Sequence, residues 1–136
     1  MEPRTLTALA RIGLLVAVAL VMHLAFTDRS YPVVSGLPDK LNHVAAFAVL
    51  ALLADYAFPA QGFGAAKIAA LAAYGFLIEA VQHFLPWREA SFLDIVADGA
   101  GIAAYALCIP LLARLPGLRR PQAIPIDRRE DGASPP

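Results

Sequence analysis

Four stretches of this chain are apolar for close to twenty residues each, and no other feature limits its folds so severely. They run from Thr7 to Phe26, Asn42 to Phe58, Ala65 to Leu85 and Phe92 to Leu115. A helix rising about 1.5 Å per residue needs roughly 20 apolar residues to cross a hydrocarbon core of about 30 Å. Hydrophobic residues make up 59% of the 136 and charged residues 16%, which suits lipid better than water as the solvent. The connections 59–64 and 86–91 are too short to do more than reverse direction. The expected fold is an all-α integral membrane protein, an antiparallel up-down bundle of four transmembrane helices. Arg4 and Arg11 ahead of the first apolar run also suit a signal peptide, but no pair of small residues marks a cleavage site, so that run is expected to stay as a helix.

Residues 1–116 form the expected membrane domain. Beyond Pro116 the composition turns to Arg, Pro, Asp, Gly and Ser, too polar to bury a core, and 117–136 is expected to be a disordered cytoplasmic tail. Eleven basic residues against eleven acidic ones give no overall field, and no basic stripe is present, so nucleic acid is not an expected partner. The one cysteine, Cys108, excludes an internal disulfide and reads as a small packing residue. Ala65, Ala69 and Ala73 form one small-residue stripe, and Ala97, Gly101 and Tyr105 another, where backbones can approach.

Basic residues set the orientation, because Lys and Arg are retained on the cytoplasmic side. Four crossings put both termini on one side. That side and the middle loop carry Arg4, Arg11, Lys67, Arg114, Arg119, Arg120, Arg128 and Arg129, against Arg29, Lys40 and Arg88 on the other. Both termini are therefore expected in the cytoplasm of a multi-pass cell-membrane protein, with the first and third loops outside.

Several polar residues stand where lipid would be costly. Glu79 precedes Leu85 by six residues and Asp98 follows Phe92 by six, about 9 Å below the outer face in each case, so the two carboxylates are expected to be level. A carboxylate near the bilayer centre costs roughly 3 kcal/mol, so each should turn inward to a partner. Glu79, Gln82 and His83 share a helix face, as do Asp94 and Asp98, with Lys40, His43 and Arg88 at the same end. Asp55, Lys67 and Arg11 lie toward the inner ends and are expected to snorkel to the headgroups. Trp87 and Tyr31 read as interfacial anchors.

The order Asp39-Lys40-Leu41-Asn42-His43, then Glu79-Ala80-Val81-Gln82, then Arg88, Ser91, Asp94, Asp98 and Gly101 resembles the VanZ-like membrane proteins. Their pattern is Lys-x-x-His opening one helix, Glu-x-x-Gln closing the next, and Arg-x-x-Ser-x-x-Asp-x-x-x-Asn-x-x-Gly opening the last. The match covers about Pro38 to Gly101, three of the four helices. It implies site roles for Lys40, His43, Glu79, Gln82, Arg88, Ser91, Asp94 and Gly101. Asp98 departs from the family's Asn and adds a negative charge. The family's founding member is associated with low-level teicoplanin resistance, so the resemblance implies a cell-envelope role linked to glycopeptide resistance, without naming a reaction.

Simpler roles compete for the same residues. Ser91 with Asp94, and Asp39 with Asn42, have the spacing of helix-capping pairs. His83 reads as an interfacial histidine and His23 as a partner for another side chain. Glu79 has no such terminal role. The expected ligand-binding set is Lys40, His43, Glu79, Gln82, Arg88, Ser91, Asp94 and Asp98. Two helix N-termini and two cations at one face suit an anion, such as a membrane lipid headgroup or a cell-wall precursor. No metal or cofactor is expected, because Lys40 and Arg88 stand beside the carboxylates. The alternative is a membrane enzyme acting on a phosphate-bearing lipid through His43, Glu79 and Asp98. A transporter fits less well, since the charges are expected to stop short of the inner half.

Overall fold

A computed structural model describes residues 3–28, 39–88 and 91–115. The tail 117–136 and the Tyr31 anchor lie outside these residues. Among the described residues there are four α-helices, α1 (Pro3–Phe26), α2 (Asp39–Ala57), α3 (Ala65–Gln82) and α4 (Phe92–Leu112), with one turn of 3₁₀-helix at Pro59–Gln61. All four are long and apolar enough to cross a membrane. Their outer faces expose Leu15, Phe76, Leu107 and Leu111. Such a surface would associate in water and needs no cover in lipid.

Helices adjacent in sequence run antiparallel, as the short connections require. The middle turn is closed by Gly62 at φ 57° and ψ 179°, a backbone conformation essentially confined to glycine. The most extensive packing, however, joins α2 to α4, which run parallel. His43 meets Asp98 near the start of both helices, and Asp55 meets Tyr105 near their ends. A Cβ placed on Gly101 would collide with the Val44 carbonyl and come within 3.0 Å of the Ala48 nitrogen, so glycine brings the two backbones together. Phe47, Leu50, Ala51, Leu71, Ile78, Ile102 and Tyr105 fill the interior around this contact.

The stripe of Ala97, Gly101 and Tyr105 is buried, as expected, but Ala65, Ala69 and Ala73 face outward. Helix α3 instead turns Leu71, Gly75, Ile78 and Glu79 inward, because its polar and bulky residues need the interior contacts that alanines can forgo. Cys108 is likewise exposed and packs nothing in the core.

Helix ends carry four carbonyls with no partner in their own helix, and apolar surroundings make these costly. At the end of α1, the His23 carbonyl accepts from Thr27 N–H (3.1 Å) and the Ala25 carbonyl from the Gln82 side chain (3.0 Å). Trp87 Nε1 donates to the Phe26 carbonyl (3.3 Å), and an Arg88 guanidinium nitrogen donates to the Leu24 carbonyl. The whole set is satisfied, three of the four by side chains from the end of α3 and the turn after it. At the opposite end of the bundle, Arg11 Nε donates to the Ala57 carbonyl of α2 at 3.0 Å.

Candidate functional site

One face of α4 carries Ser91, Asp94, Asp98, Gly101 and Tyr105, spaced by three or four residues so that all turn toward α2 and α3. The polar members of this stripe are held in layers. Ser91 caps α4, its hydroxyl accepting from Leu93 N–H at 3.2 Å. The reciprocal half of the capping pair does not form with Asp94. Ser91 N–H donates instead to Glu79 Oε2 of α3 at 3.0 Å, so the carboxylate of a neighbouring helix fills that role. Asp94 is freed to pair with Lys40, Nζ to Oδ1 at 3.5 Å. One turn deeper, His43 Nδ1 bonds Asp98 Oδ1 at 2.8 Å, and Asp98 Oδ2 presses on Gly75.

Glu79 and Asp98 are not level. Antiparallel packing puts Asp98 beside Gly75, and Glu79 lies one turn, about 6 Å, nearer the end of α3. Counting from helix ends failed because α3 stops at Gln82, three residues before Leu85. Glu79 is still close enough to feel the charges of Asp94, His43 and Asp98, so the four form one electrostatic cluster. Asp94, Asp98 and Glu79 are 2%, 2% and 5% exposed, and each has a carboxylate oxygen with no hydrogen bond among the described residues, a costly state.

A cavity of about 170 Å³ opens beside this cluster, lined by Asp39, Asn42, His43, Gln82 and Arg88 with apolar residues of α1, α2 and α3. Gln82 and Arg88 thus serve two purposes, holding the end of α1 and facing the cavity. Arg88 Nε is buried there with no acceptor among the described residues. Asp39 is the first described residue of α2 and lies in its first turn. One ligand atom each from Asp39, His43 and Asp94 lies within 4.8 Å of the others, a spacing the sequence reading did not anticipate when it assigned no metal.

The expectation that Asp55 and Lys67 snorkel is overturned. Asp55 is fully buried and Lys67 is 7% exposed. Lys67 Nζ bonds Asp55 Oδ1 at 2.9 Å and reaches the Asp55 carbonyl at 3.4 Å, while Tyr105 Oη donates to Asp55 Oδ2 at 2.7 Å. Charge therefore extends into the half of the bundle nearer the described chain termini. The six-residue turn that sets Lys67 twelve positions after Asp55 was a usable signal, since it brings the end of α2 against the start of α3. Arg11 is exposed instead, with its guanidinium over the Phe58 ring at 5.6 Å and its Nε on the Ala57 carbonyl.

No protein family, curated protein or solved structure that was compared with the chain matches it.

Proposed function

We propose that this is a multi-pass cell-membrane protein whose polar cavity opens on the outer face and binds an anionic group, a phosphate or carboxylate, of an envelope lipid or cell-wall precursor. The observation that carries the reading is Arg88 Nε, a buried cationic donor lining a cavity with no acceptor among the described residues. A guanidinium N–H left without an acceptor in an apolar setting is expensive, and an anion is the ligand that removes the cost. His43 and Asn42 add polar groups to the same wall, and α2 directs its N-terminus there. The VanZ-like resemblance supports an envelope role, with a link to glycopeptide resistance, and carries these same residues into the site.

Native mass spectrometry of the detergent-purified protein tests this, with phosphatidylglycerol and phosphatidylcholine as probes. The wild type is expected to retain the anionic lipid in preference. Arg88→Lys keeps a donor for the Leu24 carbonyl but loses the Nε–H, so it should fold and lose about tenfold in anionic-lipid retention. Arg114→Lys, exposed at the other end, should behave as wild type. Equal retention of both lipids by all three proteins would sink the proposal.

A second reading draws on the Asp98–His43 pair, in which a carboxylate orients an imidazole beside the cavity as it does for catalytic bases. In that case the bound phosphate-bearing lipid is turned over, and the reaction stops in His43→Gln while binding persists.

A further inference from the structure

We propose that Asp39, His43 and Asp94 bind one divalent cation of borderline softness, Zn²⁺, at the mouth of the cavity. Each residue presents one ligand atom, and the three atoms lie within 4.8 Å of one another. Metal bonds of about 2.1 Å at tetrahedral angles set ligand atoms about 3.4 Å apart, so the cluster must close by roughly 1.4 Å. Asp39, exposed at the first residue of α2, can make that movement. Two oxygens and an imidazole nitrogen suit Zn²⁺ better than Mg²⁺ or Ca²⁺, which favour all-oxygen shells.

Two further observations point to a cation. Asp94 is 2% exposed, yet its Oδ1 has no hydrogen bond among the described residues, and the ion pair to Lys40 at 3.5 Å is its compensation there. Burying a carboxylate oxygen in that state is costly, and a bound cation relieves it. His43 is also oriented as metal-bound histidines are: Asp98 accepts from Nδ1 at 2.8 Å, which fixes the ring and leaves the lone pair on Nε2. Asp98 thus acts as a positioning residue behind the ligand.

The neighbouring cations, which argued against a metal from the sequence alone, do not block the site. Arg88 is turned to the Leu24 carbonyl. Lys40 has a side chain 54% exposed and can swing into solvent, so it competes for Asp94 without filling the site permanently. Two carboxylates neutralise a divalent ion, and three protein ligands leave a coordination position open toward the cavity.

Zinc chloride titrated calorimetrically into untagged, chelator-stripped full-length protein tests this in detergent without added lipid. One saturable equivalent is expected. D94N and H43Q should each weaken it at least tenfold, and D98N by about tenfold with the stoichiometry unchanged. K40Q should tighten it severalfold, because the competing ammonium is gone, and a misfolded protein cannot produce that gain. Zinc should also raise the melting temperature of the wild type and not of D94N. No saturable equivalent in the wild type, or affinity unaltered in both D94N and K40Q, would overturn the assignment. Anionic-lipid retention by the metal-free protein is read separately, so either result can fail while the other stands.

Discussion

Removing the ammonium of Lys67 would leave the Asp55 carboxylate facing Tyr105 in a site closed to water. Single removal of a partner from a buried ion pair costs about 3 kcal/mol, because a charge stays behind without compensation. Lys67→Met should therefore destabilise the bundle by about that amount, read as a lowered melting temperature in detergent. Lys67→Met combined with Asp55→Leu should recover most of the loss, since no orphan charge then remains. A double variant as unstable as the single one would show that the pair is needed for more than mutual neutralisation. The residues that resisted sequence reading, Asp55, Lys67 and Asp39, share a physical cause. Each sits within a turn of a helix end, where one side chain can reach water or turn inward. Only the register between helices decides which, and apolar periodicity does not encode that register. Asp98 was legible because six residues into α4 lipid leaves a carboxylate no outward choice, whereas Glu79, three residues from the end of α3, is held inward by the Ser91 N–H.

At the scale of the elements, chain patterning carried most of the answer. All four helix starts fall within four residues of expectation, and Ala65 and Phe92 fall on it. The ends of α3 and α4 come three residues early, because apolar composition continues past the last hydrogen-bonded turn. Helix α4 passes through Pro110 and ends two residues later, consistent with the donor that proline lacks. What the segments could not reveal is which helices touch, since loop lengths constrain only sequence neighbours. The parallel α2–α4 contact depends on Gly101, where backbone meets backbone and no flexible side chain can yield. Gly101→Ala should therefore force the helices apart and cost about 1–3 kcal/mol, loosening the His43–Asp98 layer one turn away. Gly99→Ala faces open space and should leave the melting temperature unchanged or slightly raised. Equal effects of the two substitutions would refute the close-approach argument.

For the whole molecule, the open quantity is which end of the bundle faces out, and the burial of Lys67 bears on it directly. A lysine neutralised inside the protein no longer serves as an interfacial charge, so the inner-side tally loses one member. The remaining bias still rests on Arg4, Arg11, Arg114 and the tail arginines against Arg29, Lys40 and Arg88. Lys40 is itself partly neutralised by Asp94, which weakens the opposing count as well. Retention of Lys and Arg in the cytoplasm therefore still favours the proposed orientation, with both termini inside and the cavity outside. Phe84, 82% exposed in the turn after α3, offers a labelling position at the cavity end. In a Cys108→Ala background, Phe84→Cys should react with an impermeant maleimide on intact cells. A cysteine at Ala113, at the other end, should react only once the membrane is opened. The reverse pattern would turn the cavity toward the cytoplasm. An outer-leaflet lipid or cell-wall precursor would then be out of reach, while the cation site, which depends only on local geometry, would be untouched.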